Sequence, residues 1–165
     1  LGQDLPLQQR ARLCFDVVVV DGGRDRHRGE AQPDDRLTTD YKIRNRATGQ
    51  FLDSRGTGEV YTNPDYGSRN QEWEVVEVSE EAAKIRNVDT NMVLDTRGSG
   101  EVCTNSDFGD SDNQLWRFLQ WEGRGWKLQN VGTGMFPDAR DSGEVYTNPD
   151  YGSDNQRWSF HGVNR

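Results

Sequence analysis

From residue 41 onward the apolar positions come singly or in short runs and never at helical spacing. Lys42-Ile43-Arg44-Asn45 sets one apolar side chain between polar neighbours. Thr48-Gly49 follows with turn chemistry, because glycine accepts a positive φ. Phe51-Leu52-Asp53 reads as a second short strand, and Arg55 to Gly58 as a loop. Glu59-Val60-Tyr61-Thr62 alternates with period two, the mark of a half-buried strand. Asn63-Pro64-Asp65-Tyr66-Gly67 is a turn cluster. Gln71-Glu72-Trp73-Glu74-Val75-Val76 supplies a fourth strand.

This text returns twice. Lys84-Ile85-Arg86-Asn87, Leu94-Asp95, Gly100-Glu101-Val102-Cys103-Thr104-Asn105 and Asn113-Gln114-Leu115-Trp116 form the second copy. Lys127-Leu128-Gln129-Asn130, Pro137-Asp138, Gly143-Glu144-Val145-Tyr146-Thr147-Asn148 and Asn155-Gln156-Arg157-Trp158 form the third. The closing tryptophans lie 43 and 42 residues apart, and Asp53, Asp95 and Asp138 lie 42 and 43 apart. The slip falls at Asp110-Ser111-Asp112, where a surface loop tolerates one more residue.

The units run over about 41–82, 83–125 and 126–165, and four strands in each predict an all-β body of twelve. A propeller needs at least four blades, and an open solenoid needs distinct polar caps. Three near-identical copies therefore predict a closed threefold body. Ile43, Ile85 and Leu128 are expected in one apolar layer, with Leu52, Leu94, Val60, Val102 and Val145 in others. Trp73, Trp116 and Trp158 are expected to close the core, and Gln71, Gln114 and Gln156 to bond to backbone within it. Pro137 donates no ladder bond and belongs at a strand edge or start. Trp121 and Trp126 flank a Gly-containing turn that joins the second and third units.

The charge narrows the partners. Twenty-eight acids against 20 bases give a formal charge of -8. That disfavours nucleic acid and anionic membrane surfaces. No apolar run is long enough to span a bilayer, so no membrane insertion is expected. Two histidines, His27 and His161, and two distant cysteines, Cys14 and Cys103, give no zinc site, triad or disulfide framework. The acidic stretch Asp107–Asp112 lacks the calcium-loop pattern and reads as local loop charge. No metal and no cofactor are expected.

The Asn-Gln-x-Trp that ends each unit resembles the ricin-type (QxW) β-trefoil lectins. Within that superfamily "IRN", "TG", "LDS" and "VYT", at Ile43–Asn45, Thr48–Gly49, Leu52–Ser54 and Val60–Thr62, are similar to the actinohivin-like high-mannose-binding lectins. The resemblance covers about residues 41–160. It implies a β-trefoil and a non-catalytic, multivalent, secreted lectin whose partners are high-mannose glycans or a polysaccharide. It places the binding aspartate on Asp53, Asp95 and Asp138, and the stacking aromatic on Tyr61 and Tyr146, with Cys103 in the middle unit. It places the accompanying amide on Asn70, Asn113 and Asn155. Glu59, Glu101 and Glu144 hold the polar position before the aromatic. Tyr66, Phe108 and Tyr151 stand in the following turn, where the actinohivin-like text has Asn; Tyr66 and Tyr151 are further candidates for sugar contact.

The chemistry suits such a ligand. A carboxylate accepts two hydroxyl donors, an amide both donates and accepts, and a phenol ring covers an apolar C–H face. Other readings stay open: the aspartates as turn caps, the tyrosines as half-buried strand residues, and the glutamates as solvent-facing. Two alternative functions also stand: a galactose- or xylan-binding module of a secreted glycoside hydrolase, and a structural or protein-binding trefoil with decayed sites. Catalysis by paired carboxylates needs two different environments. Threefold repetition supplies the same environment three times, which argues against an enzyme. Residues 1–40 carry no repeat text and read as an extension or linker, partly disordered and without a convincing leader.

Overall fold

A computed structural model of the chain describes residues 39–120 and 125–163. The extension expected over 1–40 lies, apart from its last two residues, outside the described residues, as do Cys14, His27 and Trp121.

Each unit folds into four strands. The first contains β1 (Asp40–Asn45), β2 (Phe51–Ser54), β3 (Val60–Asn63) and β4 (Trp73–Glu77). The second contains β5 (Ala83–Asn87), β6 (Val93–Thr96), β7 (Val102–Asn105) and β8 (Trp116–Gln120). The third contains β9 (Trp126–Asn130), β10 (Phe136–Ala139), β11 (Val145–Asn148) and β12 (Trp158–Gly162). One expectation is corrected: Gln71, Gln114 and Gln156 end short 3-10 turns, and the fourth strand of each unit starts two residues later, at the tryptophan.

The first and fourth strands of the units form a closed barrel. β1 pairs β4, β4 pairs β5, β5 pairs β8, β8 pairs β9, β9 pairs β12 and β12 returns to β1. Closure leaves no free sheet edge in this ring. The second and third strands make three hairpins, β2–β3, β6–β7 and β10–β11, which cap one end of the barrel. This is the β-trefoil. Pro137 pairs with Thr147 in β10, a strand laddered only to β11, so its missing N–H removes no second ladder.

The core follows the repeat. Ile43, Ile85, Leu94 and Leu128 are buried, and Trp73, Trp116 and Trp158 are 0–1% exposed. Each indole Nε1–H donates to a backbone carbonyl of its own hairpin: Leu52 at 3.0 Å, Leu94 at 3.0 Å and Pro137 at 3.2 Å. A buried indole N–H without such an acceptor would be costly.

The three hairpins meet through glycine. Thr62 N–H donates to Gly143 O, Thr104 N–H to Gly58 O and Thr147 N–H to Gly100 O, all within 2.9 Å. At these glycines φ is +90 to +93°, and a Cβ would stand 2.8–3.2 Å from the neighbouring threonine carbonyl. The Gly-Glu-Val text of each unit is thus a docking edge.

Candidate functional site

The third strands alternate between buried and half-buried positions, and the second strands are buried along most of their length. Val60, Thr62, Leu52 and Ser54 are buried. Asp53 stands opposite Tyr61, Asp95 opposite Cys103 and Asp138 opposite Tyr146. Cross-strand partners share a face, so each aspartate lies beside the aromatic position of its hairpin; Asp53 and Asp95 are themselves buried, at 8% and 6% exposure, and Asp138 is half-buried. The residue two further along shares that face as well, and it is an asparagine each time. Asn63 Nδ2 donates to Asp53 Oδ2 at 3.0 Å, Asn105 to Asp95 at 3.0 Å and Asn148 to Asp138 at 3.2 Å. The repeat text alone does not single out these three amides. Their signal was the fourth letter of "VYTN", in phase with Tyr61.

Asn70, Asn113 and Asn155 sit elsewhere in the network. Their Nδ2 groups donate to Ser54 O, Thr96 O and Ala139 O at 2.7–2.8 Å. Their own backbone carbonyls accept from Asn87, Asn130 and Asn45 of the next unit at 2.8 Å. Asn87, Asn130 and Asn45 also cap their local turns through Oδ1. These contacts make a closed ring of inter-unit bolts and tie Asn70, Asn113 and Asn155 to backbone.

The glutamines hold the turns after β3, β7 and β11. Gln71 Oε1 accepts the N–H of Tyr66 at 2.9 Å, and its Nε2 donates to Pro64 O at 2.7 Å. Gln114 does the same with Phe108 and Ser106, and Gln156 with Tyr151 and Pro149. Gln114 Nε2 also lies 3.2 Å from Asp95 Oδ2, which links the aspartate to the turn. Each turn is pinned again from its other side. Asp65, Asp107 and Asp150 accept from Lys42, Lys84 and Lys127 and from the glycine N–H two residues on. The Lys42 ammonium holds the Asp65 carboxyl below its ordinary value, with help from Gly67 N–H. Asp107, inside the acidic stretch, is held down in the same way by Lys84. Among the described residues no group of three acidic, His or Cys side chains is placed to hold a metal ion.

The pinned turns display aromatic rings. Tyr66, Phe108 and Tyr151 are 65%, 63% and 65% exposed. Tyr61 and Tyr146 are half-buried, with the Arg55 guanidinium over one ring at 5.7 Å and Arg140 over the other at 5.4 Å. Glu59, Glu101 and Glu144 are exposed beside them. The Glu59 carboxylate pushes the Tyr61 phenol up, so that hydroxyl stays protonated at neutral pH. Burial pushes the Cys103 thiol up, away from thiolate chemistry. Burial also raises Asp138, against the opposing pull of Asn148 and Arg140.

The chain is thus a β-trefoil with a hydrogen-bonded Asp–Asn pair on each hairpin and a tyrosine beside the pair on the first and third. The "Ricin-type beta-trefoil lectin domain-like" family matches residues 32–106 and 112–165, and the chain belongs to that family. No curated protein sequence matches. Among solved structures the chain is similar to the designed threefold-symmetric protein ThreeFoil, at 25% identity and TM-score 0.69, over 75% of this chain and 99% of that one. It is also similar to 1,3Gal43A, an exo-β-1,3-galactanase from Clostridium thermocellum, at 28% identity and TM-score 0.70. That match covers 81% of this chain and only 32% of the enzyme. The BEL β-trefoil shares the fold at 18% identity and TM-score 0.69, over 76% of this chain and 93% of that one.

Proposed function

We propose that the chain is a secreted, non-catalytic lectin that binds mannose-type glycans through one shallow site on each hairpin. The observation that carries this is the Asp–Asn pair beside a tyrosine, made in unit 1 by Asp53, Asn63 and Tyr61 and in unit 3 by Asp138, Asn148 and Tyr146. The carboxylate has about four lone-pair positions. The amide takes one, which leaves the carboxylate able to accept a pair of sugar hydroxyls. The tyrosine offers a face for C–H contact, and Tyr66 or Tyr151 offers a second ring from the pinned turn. The actinohivin-like strand text supports mannose as the sugar.

Small open sites bind weakly, on the order of millimolar to high micromolar. The three hairpins form one cap, so their sites surround one axis. A branched glycan that engages several at once gains about 10²–10⁴ in avidity.

A second reading has its own support. The likeness to part of an exo-β-1,3-galactanase favours a galactoside-binding module attached to a glycoside hydrolase. A glycan array with the chain and an Asp53/Asp95/Asp138→Ala triple variant separates the two. High-mannose signals that vanish in the variant support the first reading. Galactan or xylan signals move the assignment to the second, and silence from folded protein overturns both.

A further inference from the structure

We propose a fourth sugar site on the axis of the cap, one that takes the branch-point pyranose of a glycan whose arms run outward to the hairpin sites. The inference rests on the carbohydrate reading above. It begins with a break in the threefold pattern. At the junctions between hairpins, Tyr61 bridges Glu144, Tyr146 bridges Glu101, and Cys103 bridges Glu59. At two junctions a phenol ring fills the space and an arginine lies over it. At the third Arg97 stands beside Cys103 in the same way, but there is a thiol where the others have a ring.

A cleft of about 400 Å³ opens where the three hairpins meet, lined from all three units, and reaches into this junction. Its walls include Tyr61, Tyr146 and Cys103, and it extends along Thr57, Gly58 and Arg97. Those three residues flank the Cys103 junction, and the corresponding residues of the other two junctions do not line the cleft. The missing ring is therefore what makes the room. Cys103 gives unit 2 a poorer hairpin site and gives the whole cap a cavity.

The cleft has the size and chemistry of a single sugar ring. Its volume lies toward the small end of ligand pockets, roughly 300–1,000 Å³. The two tyrosines supply ring surface and hydroxyls, the glutamate rim supplies acceptors, and Arg97 supplies fixed donors. The position adds the branching. Tyr61 is the cross-strand partner of Asp53, and Tyr146 that of Asp138. A pyranose held between these rings has a hairpin site immediately beyond each of them.

The test is NMR titration of the full chain with methyl α-mannopyranoside and, separately, methyl β-galactopyranoside. The amides of Gly58, Glu59 and Glu101 report the cleft, and those of Asn63 and Asn148 report the hairpins. Three proteins are compared: the parent, the Asp53/Asp95/Asp138→Ala variant, and Cys103→Tyr, which restores the ring of units 1 and 3. Saturable cleft shifts that survive in the triple variant within about twofold, and weaken at least about tenfold in Cys103→Tyr, support the axial site. Arg97→Ala should weaken the same shifts without refilling the cleft. Cleft amides that stay still with both sugars, or that respond equally in Cys103→Tyr, overturn it. So does a response to calcium chloride with none to sugar. Cleft shifts with silent hairpin amides keep the axial site and remove the hairpin reading.

Discussion

Gln71 holds the backbone of Tyr66 with its side chain, accepting the tyrosine N–H at 2.9 Å, and is itself fully buried. The second half of the same amide grips Pro64 O. The Gln of each Gln-x-Trp motif is thus a buried strut under an exposed ring. Its neighbour Trp73 closes the core, so one short motif ties the site to the barrel.

This division of labour separates two substitutions. Tyr66→Ala leaves the N–H bond to Gln71 in place, and the stability should stay within about 0.5 kcal/mol. Glycan binding should weaken. Gln71→Ala empties a buried polar position and strands its partners, which should cost about 2–4 kcal/mol as well as binding. Urea unfolding beside glycan titration reads both effects. Equal destabilisation by the two variants would contradict the strut.

Trp158→Ala should cost about 3–5 kcal/mol, from the lost indole volume and the stranded Pro137 carbonyl. A variant that unfolds at the parent's urea midpoint would remove Trp158 from the core.

The fold is legible because each local signal agrees with the next. Alternation, glycine turns and three copies of Gln-x-Trp all require the same closed body. The site is legible only in part. Asp53 and Tyr61 stand out as polar and aromatic letters in strand text. Asn63, the amide that bonds Asp53, is brought there by the hairpin register, which no single strand carries. Asn70 lies next to the motif in the chain, yet the 3-10 turn points its amide at Ser54 O. The cleft is harder still to see. A cysteine in place of a tyrosine reads as loss, and only the junction geometry shows that it makes space.

Asp138 gives unit 3 a pH dependence of known sign. Burial raises its carboxyl above the ordinary 3.8. The folded state then holds the proton more readily than the unfolded chain, so acidification through that window favours folding at this group. Binding runs the other way, because a protonated carboxyl has lost acceptor capacity and charge. In a variant carrying Asp53→Ala and Asp95→Ala, sugar affinity should begin to fall on acidification while the pH is still above the ordinary carboxylate value of 3.8. Affinity that stays constant to below 3.8 would take the Asp138 carboxylate out of the contact.

Gly143 tests how closely the hairpins must approach. Its φ is +90°, its carbonyl accepts Thr62 N–H at 2.8 Å, and a Cβ there would sit 2.8 Å from Thr62 O. Thr62 cannot retreat without opening the junction, because its own β3 strand is laddered to β2. Gly67 has a comparable φ of +65° in an open turn, with nothing within 4 Å of a built Cβ. Alanine at either site carries the left-handed penalty of roughly 1–2 kcal/mol. Only Gly143→Ala adds a collision with fixed backbone. Its loss in urea unfolding should therefore exceed that of Gly67→Ala, and the amide of Thr62 should exchange faster with solvent. Equal losses would mean that the cap yields at its junctions, and the glycines there would then serve their turns alone.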